Sequence, residues 1–174
     1  MALKINNTTI TKINVIKNGI TTALTHLYSN NVLVWVSTIS LGNVSASAAT
    51  GDPGLYTGST GYGEYFDVSG YSSITGTVQA SASPNKTGEY GIHTTGSAKL
   101  VNAHGATVRE TGASEAYANV AGQPGYGSTG YIDWNLSGLS GLHRIVVSVS
   151  VFRENSDSAA TGTGRVGTNN LTMK

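Results

Sequence analysis

The chain has 174 residues, of which 11% are charged, against about 25% in an average soluble domain. Gly, Thr, Ser and Asn together supply 79 of the 174 residues. These types are poor in helix interiors, which excludes a helical protein. A formal net charge of +1 removes the electrostatic pull that a nucleic-acid partner requires, and the lack of cysteine excludes a disulfide scaffold or a thiolate metal site.

Hydrophobic residues still make up 39% of the chain. They fall into alternating runs rich in Val, Ile and Tyr, so the chain reads as all-β and not as disordered. Residues 1–41 form a first block, with Lys4, Lys12 and Lys17 and no acid. Three turn signals punctuate it: Asn6-Asn7, Asn18-Gly19 and Asn30-Asn31. Asn and Gly tolerate positive φ, and Asn-Gly is the strongest two-residue hairpin signal. Strands are expected at 8–16, 20–28 and 32–41, forming a β-hairpin meander. Such a meander buries little by itself, so it needs a partner. The lysines read either as solvated surface or as a weakly basic docking face. No apolar stretch in the first twenty residues reads as a secretory leader or a membrane span. The expectation is therefore a soluble product made in the cytoplasm, with no membrane partner.

Residues 42–63, small and polar and then rich in Gly and Tyr, read as a linker or long loop. Residues 64–174 read as an antiparallel β-sandwich, jelly-roll-like, with strands near 64–68, 71–81, 90–101, 106–111, 130–136, 143–153 and 164–173. Ile74, Val78 and Ala80 fall on one face of their strand, with Tyr71, Ser73, Thr75, Thr77, Gln79 and Ser81 on the other. Val147, Val149 and Val151 are expected to form a central core row. Residues 113–120 allow a single helical turn.

No catalytic pattern emerges, and no cofactor or metal is expected. The histidines are scattered, and only His93 and His104 are placed to meet across a hairpin. Nine acids supply chance carboxylate pairs of the kind a glycosidase uses, but nothing specific. Gly162-Thr163-Gly164-Arg165-Val166-Gly167 matches G-x-G-x-x-G. However, dinucleotide binding needs a strand before this motif and a helix after it, and here a final strand follows. The aromatic loops say more. Tyr62, Tyr126, Tyr131 and Trp134 lie in or beside glycine-rich stretches, where exposed rings stack on sugars or fill interface pockets. The alternative is that these rings cap the edge of the core.

The segments Lys4-Ile5-Asn6-Asn7-Thr8-Thr9-Ile10-Thr11-Lys12-Ile13, Asn18-Gly19 and Tyr28-Ser29-Asn30-Asn31-Val32-Leu33-Val34-Trp35 resemble a motif of accessory structural proteins of tailed bacteriophages. In such proteins the block looks like an attachment module ahead of a variable β domain. The resemblance implies a non-enzymatic virion protein, tail- or fibre-associated, with capsid decoration as the alternative. It also implies partners among the other phage structural proteins of tail or capsid, anchoring through Lys4, Lys12, Lys17 and Trp35, and a homo-oligomer, with a trimer among the options. A rival reading is a carbohydrate-binding module for host or mucosal glycans, using Tyr62, Tyr126 and Trp134. A third is a small hydrolase on a jelly-roll scaffold.

Overall fold

Period-two alternation is carried into the three-dimensional structure, a computed structural model. It describes residues 37–50, 57–88, 91–153 and 161–174 in full. Within residues 4–36 it describes the backbone pairing of short strands.

In that N-terminal block β1 (Lys4–Ile5) pairs with β2 (Thr8–Thr9), β3 (Ile13–Lys17) with β4 (Ile20–Leu24), and β5 (His26–Ser29) with β6 (Val32–Val36), all antiparallel. Each pair brackets one of the Asn-Asn or Asn-Gly signals. The long strands expected at 8–16, 20–28 and 32–41 are therefore shorter. Among the described pairings they form three separate two-stranded ribbons and no continuous meander. A two-residue connection fixes one local pair, and adding a third strand needs a shared apolar face.

From Ile39 onward the chain builds a sandwich. β7 (Ile39–Ser40) and β8 (Ser45–Thr50) share one edge of the first sheet, and β9 (Thr57–Asp67) is an edge of the second. β10 (Ser73–Pro84) returns to the first sheet, while β11 (Ile92–Asn102) and β12 (Thr107–Ala118) lie in the second. β13 (Gly125–Tyr126) and β14 (Gly130–Asn135) make up the other edge of the first sheet. β15 (Leu142–Arg153) then joins the second sheet and β16 (Gly162–Met173) the first. With each broken edge counted once, the order is β7/β8–β16–β10–β13/β14 in the first sheet and β9–β15–β11–β12 in the second. That is four antiparallel strands per layer, and every connection except the β11–β12 hairpin crosses between layers. This is jelly-roll connectivity.

The core lies between the layers. Val147, Val149 and Val151 are buried in one cluster with Ile74, Val78 and Leu100. Ser73, Thr75, Thr77, Gln79 and Ser81 turn outward and are half-buried. Tyr71, expected on that face, instead lies ahead of the strand and is buried, because the strand's alternation begins only at Ser73. The strict alternation of β16 changes phase once. Gly164, Val166 and Thr168 point inward before the change, and Leu171 and Met173 after it. The register against β10 shifts between Thr75↔Thr172 and Thr77↔Asn169, and Asn170 there adopts a positive φ of 54°. This is a β-bulge that lets both halves of the strand present apolar residues to one core.

Several expectations change. Residues 45–50 and 57–63, read as linker, are strands of the sandwich. The run Ser45-Ala46-Ser47-Ala48-Ala49-Thr50 alternates, with Ala46 and Thr50 buried, but its side chains are too small to register as a hydrophobic period. In β9 the glycines serve close packing, because the backbone of Ser45 passes directly over Gly61. Residues 113–118 are strand and not a helical turn: Ala113, Ala116 and Ala118 pair into β11, and sheet pairing overrides the helical preference of alanine. Ile39 and Leu41 belong to the sandwich edge, where the amide of Leu41 donates to the Leu171 carbonyl at 2.8 Å.

Candidate functional site

The aromatic residues singled out from the sequence separate into three environments. Trp134 is 4% exposed. It sits inward on β14, and its indole Nε1 donates to Thr111 Oγ1 on β12 at 2.9 Å. It is a core residue that ties the two sheets together and not an exposed contact, because inward positions of β14 alternate through Ile132 and Trp134.

Tyr62 lies on the outer face of the second sheet, together with Tyr65. The Arg144 guanidinium is placed over both rings, at 4.5 Å and 5.0 Å from their centres. Residues three apart on a regular strand point to opposite faces. A register shift between Arg144↔Tyr65 and Val146↔Tyr62 brings both rings to one side. On the same sheet His93 stacks on Phe152 and binds Glu115. His104 is in the β11–β12 turn, at the far end of β11, so the two histidines do not meet. Among the described residues no group of three or more His, Asp or Glu side chains is arranged to hold a metal ion.

Tyr126 and Tyr131 are exposed at the β13/β14 edge of the first sheet. Tyr131 is opposite Thr77, and Tyr126 opposite Ser81. On its other side Ser81 pairs with Arg165, which in turn pairs with Ser47. One row across the outer face therefore reads Tyr126, Ser81, Arg165, Ser47. The next row reads Gln79, Gly167, Ser45. Arg165 Nη2 donates to Ser45 Oγ at 3.1 Å. Gln79 Nε2 donates to the Gly127 carbonyl at 3.0 Å, holding the loop after Tyr126. Between these groups runs an open trough of about 310 Å³.

Sequence reading missed Arg165, Gln79 and Gly167. The available signal was a glycine inside a strand pattern, which marks a bulge or a close approach by another group. Of the anchor residues, Lys4 lies in β1, Lys17 in β3 and Trp35 in β6, and the description there extends to the backbone alone. Lys12 falls outside the described residues.

No protein-family model matches the chain, and no curated protein matches it significantly. Among solved structures the chain is similar to that of infectious bursal disease virus, Gx strain, with 11% identity and a TM-score of 0.41, covering 84% of this chain and 40% of that one. It is also similar to the VP2 subviral particle of infectious bursal disease virus, with 9% identity and a TM-score of 0.41, covering 83% of this chain and 39% of the other. The chain thus spans about two-fifths of the length of those structures.

Proposed function

We propose that the chain is a non-enzymatic structural subunit of a phage virion, attached by its N-terminal block and displaying the jelly-roll sandwich outward. The observation that carries this is the contrast between the two parts. The sandwich closes a core of its own, whereas the strands of residues 4–36 pair, among the described residues, only as isolated two-stranded ribbons. An isolated ribbon is at best marginally stable in water, so a block of them gains stability by adding to another protein's surface or to other copies of this chain. The resemblance of the same residues to phage attachment blocks supports the reading. Lys4, Lys12, Lys17 and Trp35 are the proposed anchor residues.

Within that class the proposed location is the tail or its fibres, with the capsid surface as the alternative, and the proposed assembly is a homo-oligomer such as a trimer. Particles assembled with the full chain, and with a form lacking residues 1–36, test the attachment. The full chain is expected to copurify with particles and the shortened form to stay in solution. Full occupancy by the shortened form would refute it. Imaging of particles carrying a labelled chain separates tail from capsid.

A further inference from the structure

We infer that the outer face of the first sheet carries a binding site for a saccharide bearing a carboxylate, centred on Gly167. Gly167 is in β16, an inner strand of its sheet, where glycine weakens the strand. Packing does not demand it. A Cβ there would meet only the Ser45 Cβ at 3.5 Å, the Val44 carbonyl at 3.9 Å and Arg165 Nε at 4.0 Å, all ordinary contacts. The missing side chain does one visible thing: it leaves the floor of the trough open between Gln79, Ser45 and the Arg165 guanidinium.

The walls carry the donor set of a sugar site. Tyr126 is 65% exposed and rises at one end, two strands from Arg165 across Ser81. Its ring offers an apolar face with a polar tip. It is also held firmly. A Cβ on Gly125 would run into the Tyr117 carbonyl, and one on Gly127 into the Ser114 carbonyl. The two glycines therefore let the strand carrying Tyr126 press against β12, which fixes the backbone from which the ring projects. Asn43, Gln79 and Asn169 are among the residues lining the same trough, and amide side chains suit hydroxyl groups.

The charge decides the class of sugar. The trough is lined by one cation, Arg165, and by no acid. Among the described residues no carboxylate lies within ion-pair distance of that guanidinium, which is steadied from one side by Ser45. A planar guanidinium matches a carboxylate through two parallel hydrogen bonds. A volume near 310 Å³ is at the small end for ligand sites and takes one or two sugar rings. A uronic or sialic acid residue, with its carboxylate on Arg165 and its ring against Tyr126, fits both ends.

The full chain, titrated calorimetrically with sialyllactose, with a glucuronate-containing tetrasaccharide and with lactose, tests this. At least one of the two acidic sugars is expected to bind and lactose at least tenfold more weakly. Arg165→Gln and Tyr126→Ala should each weaken the acidic sugar at least tenfold, and Arg165→Lys less than Arg165→Gln. Gly167→Val is the decisive variant, because it fills the trough with a residue suited to strands. It should abolish binding while the melting temperature holds or rises. No binding of either acidic sugar at millimolar concentration, equal binding of lactose, or binding retained in Gly167→Val would each overturn the proposal.

Discussion

Trp134 on β14 and Thr111 on β12 join the two sheets through one hydrogen bond of 2.9 Å, made by an indole that is almost fully buried. Changing the donor and the acceptor separately divides this bond from the packing of the ring. Trp134→Phe should cost about 1–2 kcal/mol, one hydrogen bond plus a little lost area. Trp134→Ala should cost about 3–5 kcal/mol, because it also opens a cavity. In a double-mutant cycle with Thr111→Val, urea denaturation should give a coupling of about 1 kcal/mol. Additive single-mutant effects would mean that the bond contributes nothing to stability.

The bulge at Asn170 makes a second prediction. Asn tolerates the left-handed region, where a β-branched residue does not. Asn170→Gly should leave stability within about 0.5 kcal/mol, and Asn170→Val should lower it by about 1–2 kcal/mol. Both are read as shifts in melting temperature. Equal melting of the two variants would show that the positive φ of 54° is not a constraint on that site.

Large side chains made the sandwich legible in the sequence. Val147, Val149 and Val151 in β15 and Ile74 and Val78 in β10 set a period of two that survives in the core. Where small residues carry the same period, as in Ser45–Thr50, the burial is real but contributes too little hydrophobicity to stand out. Chain-distant relations were not legible at all. Trp134 read as an exposed contact beside a glycine-rich stretch because its partner Thr111 sits on the other sheet. Tyr62 and Tyr65 share a face only because of a register shift. The trough depends on β10 placing Ser81 between Tyr126 and Arg165. In the sequence Gly167 figured only in a failed nucleotide motif, since local spacing does not reveal which strands become neighbours.

A third prediction concerns alkaline pH. Tyr71 is buried. Burial pushes its phenol above the ordinary value, the nearby Asp67 carboxylate adds to the push, and a hydrogen bond with Ser37 partly opposes it. A phenol raised in the folded state is protonated there while the unfolded chain ionises. Its contribution is therefore fully present below about pH 10 and is lost as the pH rises through the folded value. Urea midpoints measured from pH 8 to 11.5 should fall above pH 10, and Tyr71→Phe should flatten that fall. An unchanged slope in Tyr71→Phe would assign the alkaline loss to other groups.

The boundary between attachment block and sandwich gives the last prediction. Ile39 pairs with Met173 and Ser40 with Thr172, and Leu41 donates to Leu171. Ile39 and Leu41 also pack against the core while staying partly exposed. A chain starting at residue 37 keeps these contacts. A chain starting at residue 42 loses them all and uncovers Met173 and Leu171, both buried in the intact sandwich. Two half-buried aliphatic side chains are worth about 2–3 kcal/mol together, and the two lost edge pairings add to that. The chain from 37 should therefore unfold cooperatively at a midpoint close to that of the sandwich in the full chain. The chain from 42 should be about 2–4 kcal/mol less stable, by roughly 25 cal/mol per Å² of apolar area uncovered. Equal stability of the two would move the start of the sandwich past Leu41.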